Sequence, residues 1–334
     1  MRNLAIKIPP LRKANSALFH YRANRWRWNK SFLENVDDVS LRAPVYLLGT
    51  QGGGLTLLSR ILHRHPDAIS VSSHHRHWAG EDETQNALAP ILPEDFGWRR
   101  IDLAGYPVEQ HDWLYANDDF LPYYRRRGTD ADPAAAARYR ALLKAVVRQN
   151  GLPGHPAPRF IDKSQSLTVR VGFLQAALED CDPRFVLISR NPYAGVWREA
   201  SRAGVMRRLN RSIEDRVRIA AQHWRNSFEA AGADADADPQ IKLAHWRFED
   251  MLAEPERVIG EICAHAGLAP DLGILPGPDD VFPVGSAVNA FNRQKWYPLR
   301  TDVNDRYLAE LPNWARAMIT EICGPLAERF GYVA

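Results

Sequence analysis

The chain has 334 residues, 45% of them hydrophobic and 25% charged, with a formal net charge of +3. Those values fit a soluble globular chain with room for one large α/β domain, and the charge is too small to argue for a nucleic-acid binder. No apolar run reaches the ~18 residues that a membrane-spanning helix needs, and Cys181, Cys263 and Cys323 lie too far apart for a disulfide framework or a close-spaced metal motif. Buried thiols in a reducing compartment, hence a cytoplasmic protein, is the simplest reading.

Residues 1–42 read as a basic arm ahead of a domain spanning 43–334. The arm carries Arg2, Lys7, Arg12, Lys13, Arg22, Arg25, Arg27 and Lys30, with Trp26 and Trp28 among them and no acid before Glu34. Such a segment suits an anionic membrane surface or an acidic partner, or a solvated arm packed by its tryptophans. It lacks the continuous apolar stretch of a secretory signal.

Residues 45–48, Val-Tyr-Leu-Leu, form a short unbroken apolar run, as in a strand buried on both faces. Gly49, Gly52, Gly53 and Gly54 follow, and then Leu55, Leu57, Leu58, Ile61 and Leu62 recur at helical spacing up to His65-Pro66. Strand, glycine loop and helix are the physical recipe for holding a phosphate, because the backbone can turn sharply and the helix N-terminus offers amides to an anion. The loop approaches the nucleotide-binding pattern G-x-x-x-x-G-K-[ST], with Thr56 in the hydroxyl position but Leu55 where the lysine belongs. That departure argues against ATP or GTP hydrolysis, which relies on the lysine.

Further along, residues 68–73 predict a second strand, and residues 74–83 are dense with titratable groups. Asp132-Pro133 predicts a helix start that Gly151 closes. Residues 159–164 predict a strand end, followed by a helix over 167–178 and a buried strand over 184–189. Asn191 and Pro192 predict the cap and first turn of the next helix. Ser212-Ile213-Glu214-Asp215 predicts a capping box opening an amphipathic helix with Val217, Ala220, Ala221, Trp224 and Phe228 on one stripe. Residues 232–239 read as a short loop, 241–248 as a strand, and 255–265 and 314–330 as helices. The alternation predicts an α/β fold with a mostly parallel sheet and helices on both faces.

Four segments now line up: the loop 49–58 with His65-Pro66; Asp162-Lys163-Ser164; residues 185–192, FVLISRNP; and residues 246–251, WRFEDM, with Pro255. Together they resemble the sulfotransferase family that uses 3′-phosphoadenylyl sulfate (PAPS), and bacterial carbohydrate-type members look most similar. The resemblance implies a single P-loop-like α/β domain. It implies that Thr50, Gln51, Gly52, Gly53, Gly54, Leu55 and Thr56 take the 5′-phosphosulfate, and that Arg190 takes the 3′-phosphate. Arg198 stands where the family usually has a 3′-phosphate serine. Arg293 and Lys295, with Trp296, stand near the family's basic loop over the cofactor. Gly52 stands where the family usually has Arg or Lys, and Lys163 is the candidate replacement for that cation.

Sulfuryl transfer to a hydroxyl needs a base near the attacking oxygen. The family draws it from the stretch after the second strand, where Glu83, then Glu81, then His74 are the candidates in order of preference. His63, His65, His75 and His77 also raise a metal site, but without cysteines, and no metal is expected. Tyr115, Tyr123 and Tyr124, with Trp98 and Trp113, read either as sugar platforms or as core, and Arg125, Arg126 and Arg127 suit an anionic acceptor. The expected activity is PAPS-dependent sulfation of a carbohydrate or small natural product. A catalytically silent nucleotide-binding relative and a small-molecule kinase are the alternatives.

Overall fold

The computed structural model describes residues 34–69, 83–87, 114–150, 158–202, 206, 209–277, 281–283, 293–295 and 299–333. The elements that matter run in chain order: β1 (Val45–Gly49), α1 (Leu55–Leu62), β2 (Ala68–Ile69), α2 (Thr84–Ala87), α3 (Leu121–Tyr124), α4 (Pro133–Asn150), β3 (Arg159–Asp162), α5 (Val171–Ala177), β4 (Arg184–Ser189), α6 (Pro192–Arg202), α7 (Ile213–Ala237), β5 (Lys242–Arg247), α8 (Phe248–Ala253) and α9 (Pro255–Ala266). A short pair, β6 (Val281–Pro283) and β7 (Arg293–Lys295), is followed by α10 (Asp305–Glu310) and α11 (Asn313–Arg329).

Strands β2, β3, β1, β4 and β5 form one sheet in that order, and every adjacent pair is parallel. Successive β1 side chains alternate between two cores, as the pleat requires. Val45 and Leu47 join α1, α8 and α9 on one face, through Leu58, Ile61, Met251, Ile259 and Ile262. Tyr46 and Leu48 join α4, α5, α6, α7 and α11 on the other. Both layers of helices expected from the alternation are therefore present. The central strands carry all the loops discussed below at their carboxyl ends, where open parallel sheets bind ligands.

The predicted start residues cap their helices, Ser212 through one half of the expected box. Asp132 Oδ1 accepts the Ala135 amide at 2.9 Å, Asn191 Oδ1 accepts the Tyr193 amide at 2.9 Å, and Ser212 accepts the Asp215 amide at 3.1 Å. The stripe Val217, Ala220, Ala221, Trp224 and Phe228 is buried as a unit.

Two expectations need correction. Residues 232–239 are not a loop: α7 continues through Ala237. Asp234 holds its last turn, accepting two bonds from the Arg125 guanidinium at 2.5 and 2.7 Å and one from the Gly172 amide. The helix expected over 167–178 is divided into a 3-10 turn, Gln165–Val169, and α5. Arg170 breaks it at φ −138° and is buried, with its Nε donating to Tyr124 O at 2.7 Å. Of the strand expected over 68–73, residues 68–69 are described. Residues 1–33, which make up most of the basic arm, lie outside the described residues.

Candidate active site

The loop after β1 is anchored at its root. Thr168 Oγ1 accepts the Gly49 amide at 2.9 Å and donates to Gly49 O at 3.2 Å, while Tyr115 Oη donates to the same carbonyl at 3.1 Å. The chain then turns through Gly52 at φ +74° and reaches α1 through Gly54 at φ +93°. Both are left-handed values that glycine adopts at little cost. A Cβ on Gly54 would lie 2.2 Å from the Phe248 ring, so that glycine also allows a close approach of loop to helix. No side chain caps α1. Its first-turn amides have no partners within the helix and carry the positive end of its dipole.

Arg190 leaves the end of β4 and turns toward this loop. Gly49 pairs with Ile188 in register, so the two strand ends lie side by side. Arg190 Nη1 donates to Gly52 O at 2.9 Å, Nε to Asn304 Oδ1 at 2.8 Å and Nη2 to Val303 O at 3.2 Å. Its guanidinium lies over the Phe248 ring, 5.3 Å from the centroid. Glu249 braces the arrangement from α8: its Oε1 accepts from the Asn191 amide at 2.9 Å and from Asn304 Nδ2 at 2.5 Å.

On the other side of β1, the end of β3 carries Lys163. It is only 2% exposed, and its Nζ donates to Glu83 Oε1 at 2.6 Å. Glu83 is equally buried and also accepts from Gln85 Nε2 at 2.9 Å. The short helix α2 is pinned to β3 by a polar network: Asp162 Oδ2 accepts the Thr84 amide at 2.7 Å, Ser164 Oγ accepts the Gln85 amide at 3.1 Å, and Ser166 Oγ donates to Gln85 Oε1 at 2.5 Å. Burial raises the Asp162 carboxyl, and the Thr84 and Ser164 hydrogen bonds pull it back. Lys163 and Glu83, 80 residues apart in sequence and given separate roles there, thus form one buried ion pair.

A family model described as "Sulfotransferase family" matches residues 44–271. The chain belongs to the sulfotransferase family. Among solved structures, sulfotransferase STF9 from Mycobacterium avium shares 14% identity over 93% of this chain and 82% of that one, with a TM-score of 0.54. The sulfotransferase domain from the curacin biosynthetic pathway shares 17% identity over 88% of this chain and 99% of that one, TM-score 0.49. The sulfotransferase domain of the Synechococcus PCC 7002 olefin synthase shares 18% over 89% and 98%, also with a TM-score of 0.49. No curated protein sequence matches the chain. The STF9 likeness, at that identity, speaks for the fold.

In this sulfotransferase the other expectations fall unevenly. His74 and Glu81 lie outside the described residues, as do Trp98, Trp113 and the side chains of Arg293 and Lys295. Arg198, on α6, lies against Gly52: a Cβ on that glycine would be 2.1 Å from Arg198 Nη1. Arg125 is committed within the fold. It is spent on Asp234 and on Val169 O, which it reaches at 2.9 Å. Tyr115 and Tyr124 are core, whereas Tyr123 is half exposed. His65 is a turn residue, its Nδ1 accepting the Asp67 amide and its Nε2–H donating to Ala269 O at 2.8 Å. Among the described residues no cluster of three or more His, Cys, Asp or Glu could hold a metal ion.

Sequence reasoning missed Thr168, Glu249 and Asn304, which position the loop and Arg190. Glu249 sits inside the quoted segment 246–251, yet spacing alone could not say that it reaches back to Asn191. It also missed a cleft beside the loop, lined by Thr50, Gly52, Val196, Glu199, His223 and Trp224. Burial pushes the Glu199 carboxyl up to about 7 and the His223 imidazole down to about 3. His223 Nδ1 accepts the Ala116 amide at 3.2 Å, which leaves the proton of the neutral ring on Nε2.

Proposed function

We propose that this sulfotransferase moves a sulfuryl group from PAPS to a hydroxyl of a carbohydrate or small natural product. The observation that carries the reading is the Arg190–Gly52 hydrogen bond, which joins the glycine loop to the cation at the neighbouring strand end. A ligand with anionic groups at both ends of an adenosine would meet loop amides at residues 50–56 and a guanidinium beside them. The planar fork of arginine suits a phosphate dianion.

The Lys163–Glu83 pair supports the chemistry. Glu83 would take the proton of the acceptor hydroxyl as its oxygen attacks sulfur in line. The S–O bond to the 5′-phosphate would break, its electron pair leaving on the phosphate oxygen, against the amides at the start of α1. Lys163, bonded to Glu83 in the resting state, would hold the carboxylate in place and offset negative charge on the transferring group.

Titration calorimetry with adenosine 3′,5′-bisphosphate tests the donor. Binding in the micromolar range is expected, with Arg190→Ala weakening it by about tenfold or more. Absence of binding, or an unaltered affinity in Arg190→Ala, would overturn the assignment. Protection against unfolding by ATP with magnesium, and none by the bisphosphate, would point to a kinase instead. A labelled-donor assay over saccharides and natural-product alcohols identifies the acceptor class.

A further inference from the structure

Gly52 is gripped from two sides. Its carbonyl accepts from Arg190 Nη1, and Arg198 fills the space in which its side chain would begin. A Cβ built on Gly52 would lie 2.1 Å from Arg198 Nη1 and 3.2 Å from Cζ. Real atoms do not approach that closely, so a side chain at 52 and this position of Arg198 exclude each other. The guanidinium is docked on the loop, which the family resemblance, by which Arg198 would serve the 3′-phosphate, does not foresee. Its side chain is 34% exposed, so it is not sealed inside the fold. Its acidic neighbour Glu199 is 3.5 Å away, longer than a charge-assisted hydrogen bond, so Glu199 holds it only loosely.

The loop itself brings no cation: residues 50–56 are Thr, Gln, three glycines, Leu and Thr. Lys163 is buried across β1 against Glu83. Yet the broken S–O bond leaves its electron pair on a phosphate oxygen held by this loop, where a nearby cation stabilises the developing charge.

We propose that Arg198 supplies from α6 the cation that the loop lacks, binding the 5′-phosphosulfate rather than the 3′-phosphate, with Gly52 as the vacancy that admits it. The inference rests on the donor reading above. It divides the two arginines by ligand end: Arg190 reads the 3′-phosphate and Arg198 the 5′ group. Arg198 thus stays close to the oxygen that accepts the electron pair, while Glu83 acts on the acceptor hydroxyl and Lys163 on the transferring group.

Ligand truncation tests the division without knowing the acceptor. Affinities of adenosine 3′,5′-bisphosphate, adenosine 5′-phosphate and adenosine 3′-phosphate are measured by calorimetry for wild type and variants. Arg198→Ala should weaken the bisphosphate and the 5′-phosphate by the same factor, about tenfold or more, and leave the 3′-phosphate within about twofold. Arg198→Gln, which keeps a side chain without the charge, should give the same selective loss and serves if Arg198→Ala does not fold. A loss confined to nucleotides bearing a 3′-phosphate, or equal affinities throughout, would overturn the proposal. Wild-type protein that binds none of the three overturns the donor reading itself, and this inference with it; intact bisphosphate binding with the wrong selectivity overturns the inference alone.

Discussion

Lys163 and Glu83 would each be costly to bury alone, and each is nearly inaccessible. A buried ion pair adds little net stability over a well-packed apolar pair, but breaking one strands a charge, at about 3–5 kcal/mol. Lys163→Ala should therefore lower unfolding free energy by about that amount in urea, whereas Lys163→Met with Glu83→Leu should recover most of it. A single-variant loss below about 1 kcal/mol would mean the pair is not closed in solution. Glu199 offers a test of opposite character. Its folded pKa of about 7 lies above the ordinary carboxylate value of 4.5. The folded state then keeps a proton that the unfolded chain releases, so the contribution of this group falls as pH rises from about 4.5 through 7, by roughly 3 kcal/mol in all. Glu199→Gln should be more stable than wild type at pH 7.5 and lose that advantage near pH 4.5. Parallel denaturation curves for the two proteins across the window would refute the assigned burial.

The glycine loop is short, tightly turned and pressed on α8. Gly54→Ala must accept φ +93° and a contact with the Phe248 ring that would begin at 2.2 Å. The loop or the ring must move, and Arg190 rests on that ring. The substitution is expected to cost about 2 kcal/mol or more in stability and to weaken adenosine 3′,5′-bisphosphate binding with it. A variant with wild-type affinity would show that the loop does not need this seat. The helices around the loop are held by burial rather than by propensity: α1 has eight residues and buries Leu55, Leu57, Leu58, Ile61 and Leu62. Each such side chain contributes about 1.5–3 kcal/mol when fully withdrawn from water.

At the scale of the molecule, a hydrogen-bond chain from β5 reaches the residues that hold Arg190. His245 Nε2–H donates to Ser189 Oγ at 2.7 Å, Ser189 donates to Tyr332 Oη at 2.8 Å, and Tyr332 donates to Glu249 Oε2 at 3.1 Å. Burial holds the His245 imidazole down at about 4, so the ring enters this chain neutral. Glu249 in turn positions Asn304, which holds Arg190. Tyr332→Phe should cost about 1–2 kcal/mol in stability and reduce bisphosphate affinity. An affinity identical to wild type would separate Tyr332 from the site.

Local rules were enough for much of this protein. Residues 45–48 and 184–189 are apolar without interruption because both faces of a parallel strand are covered. The caps at Asp132, Asn191 and Ser212 are short-range hydrogen bonds that any chain with those residues at that spacing can form. The glycine turn and the strand end before Arg190 were legible for the same reason, since both are local, whereas Arg190 itself was singled out by the family resemblance. The sequence misled where a local preference met a distant partner: residues 232–239 look like a loop until Asp234 finds Arg125. The pairing of Lys163 with Glu83, the bracing of Arg190 by Asn304 and the placing of Arg198 over Gly52 are decided by strand order and helix packing. These bring together residues that spacing cannot relate, because no periodicity along a chain encodes which of its distant side chains will share one buried charge.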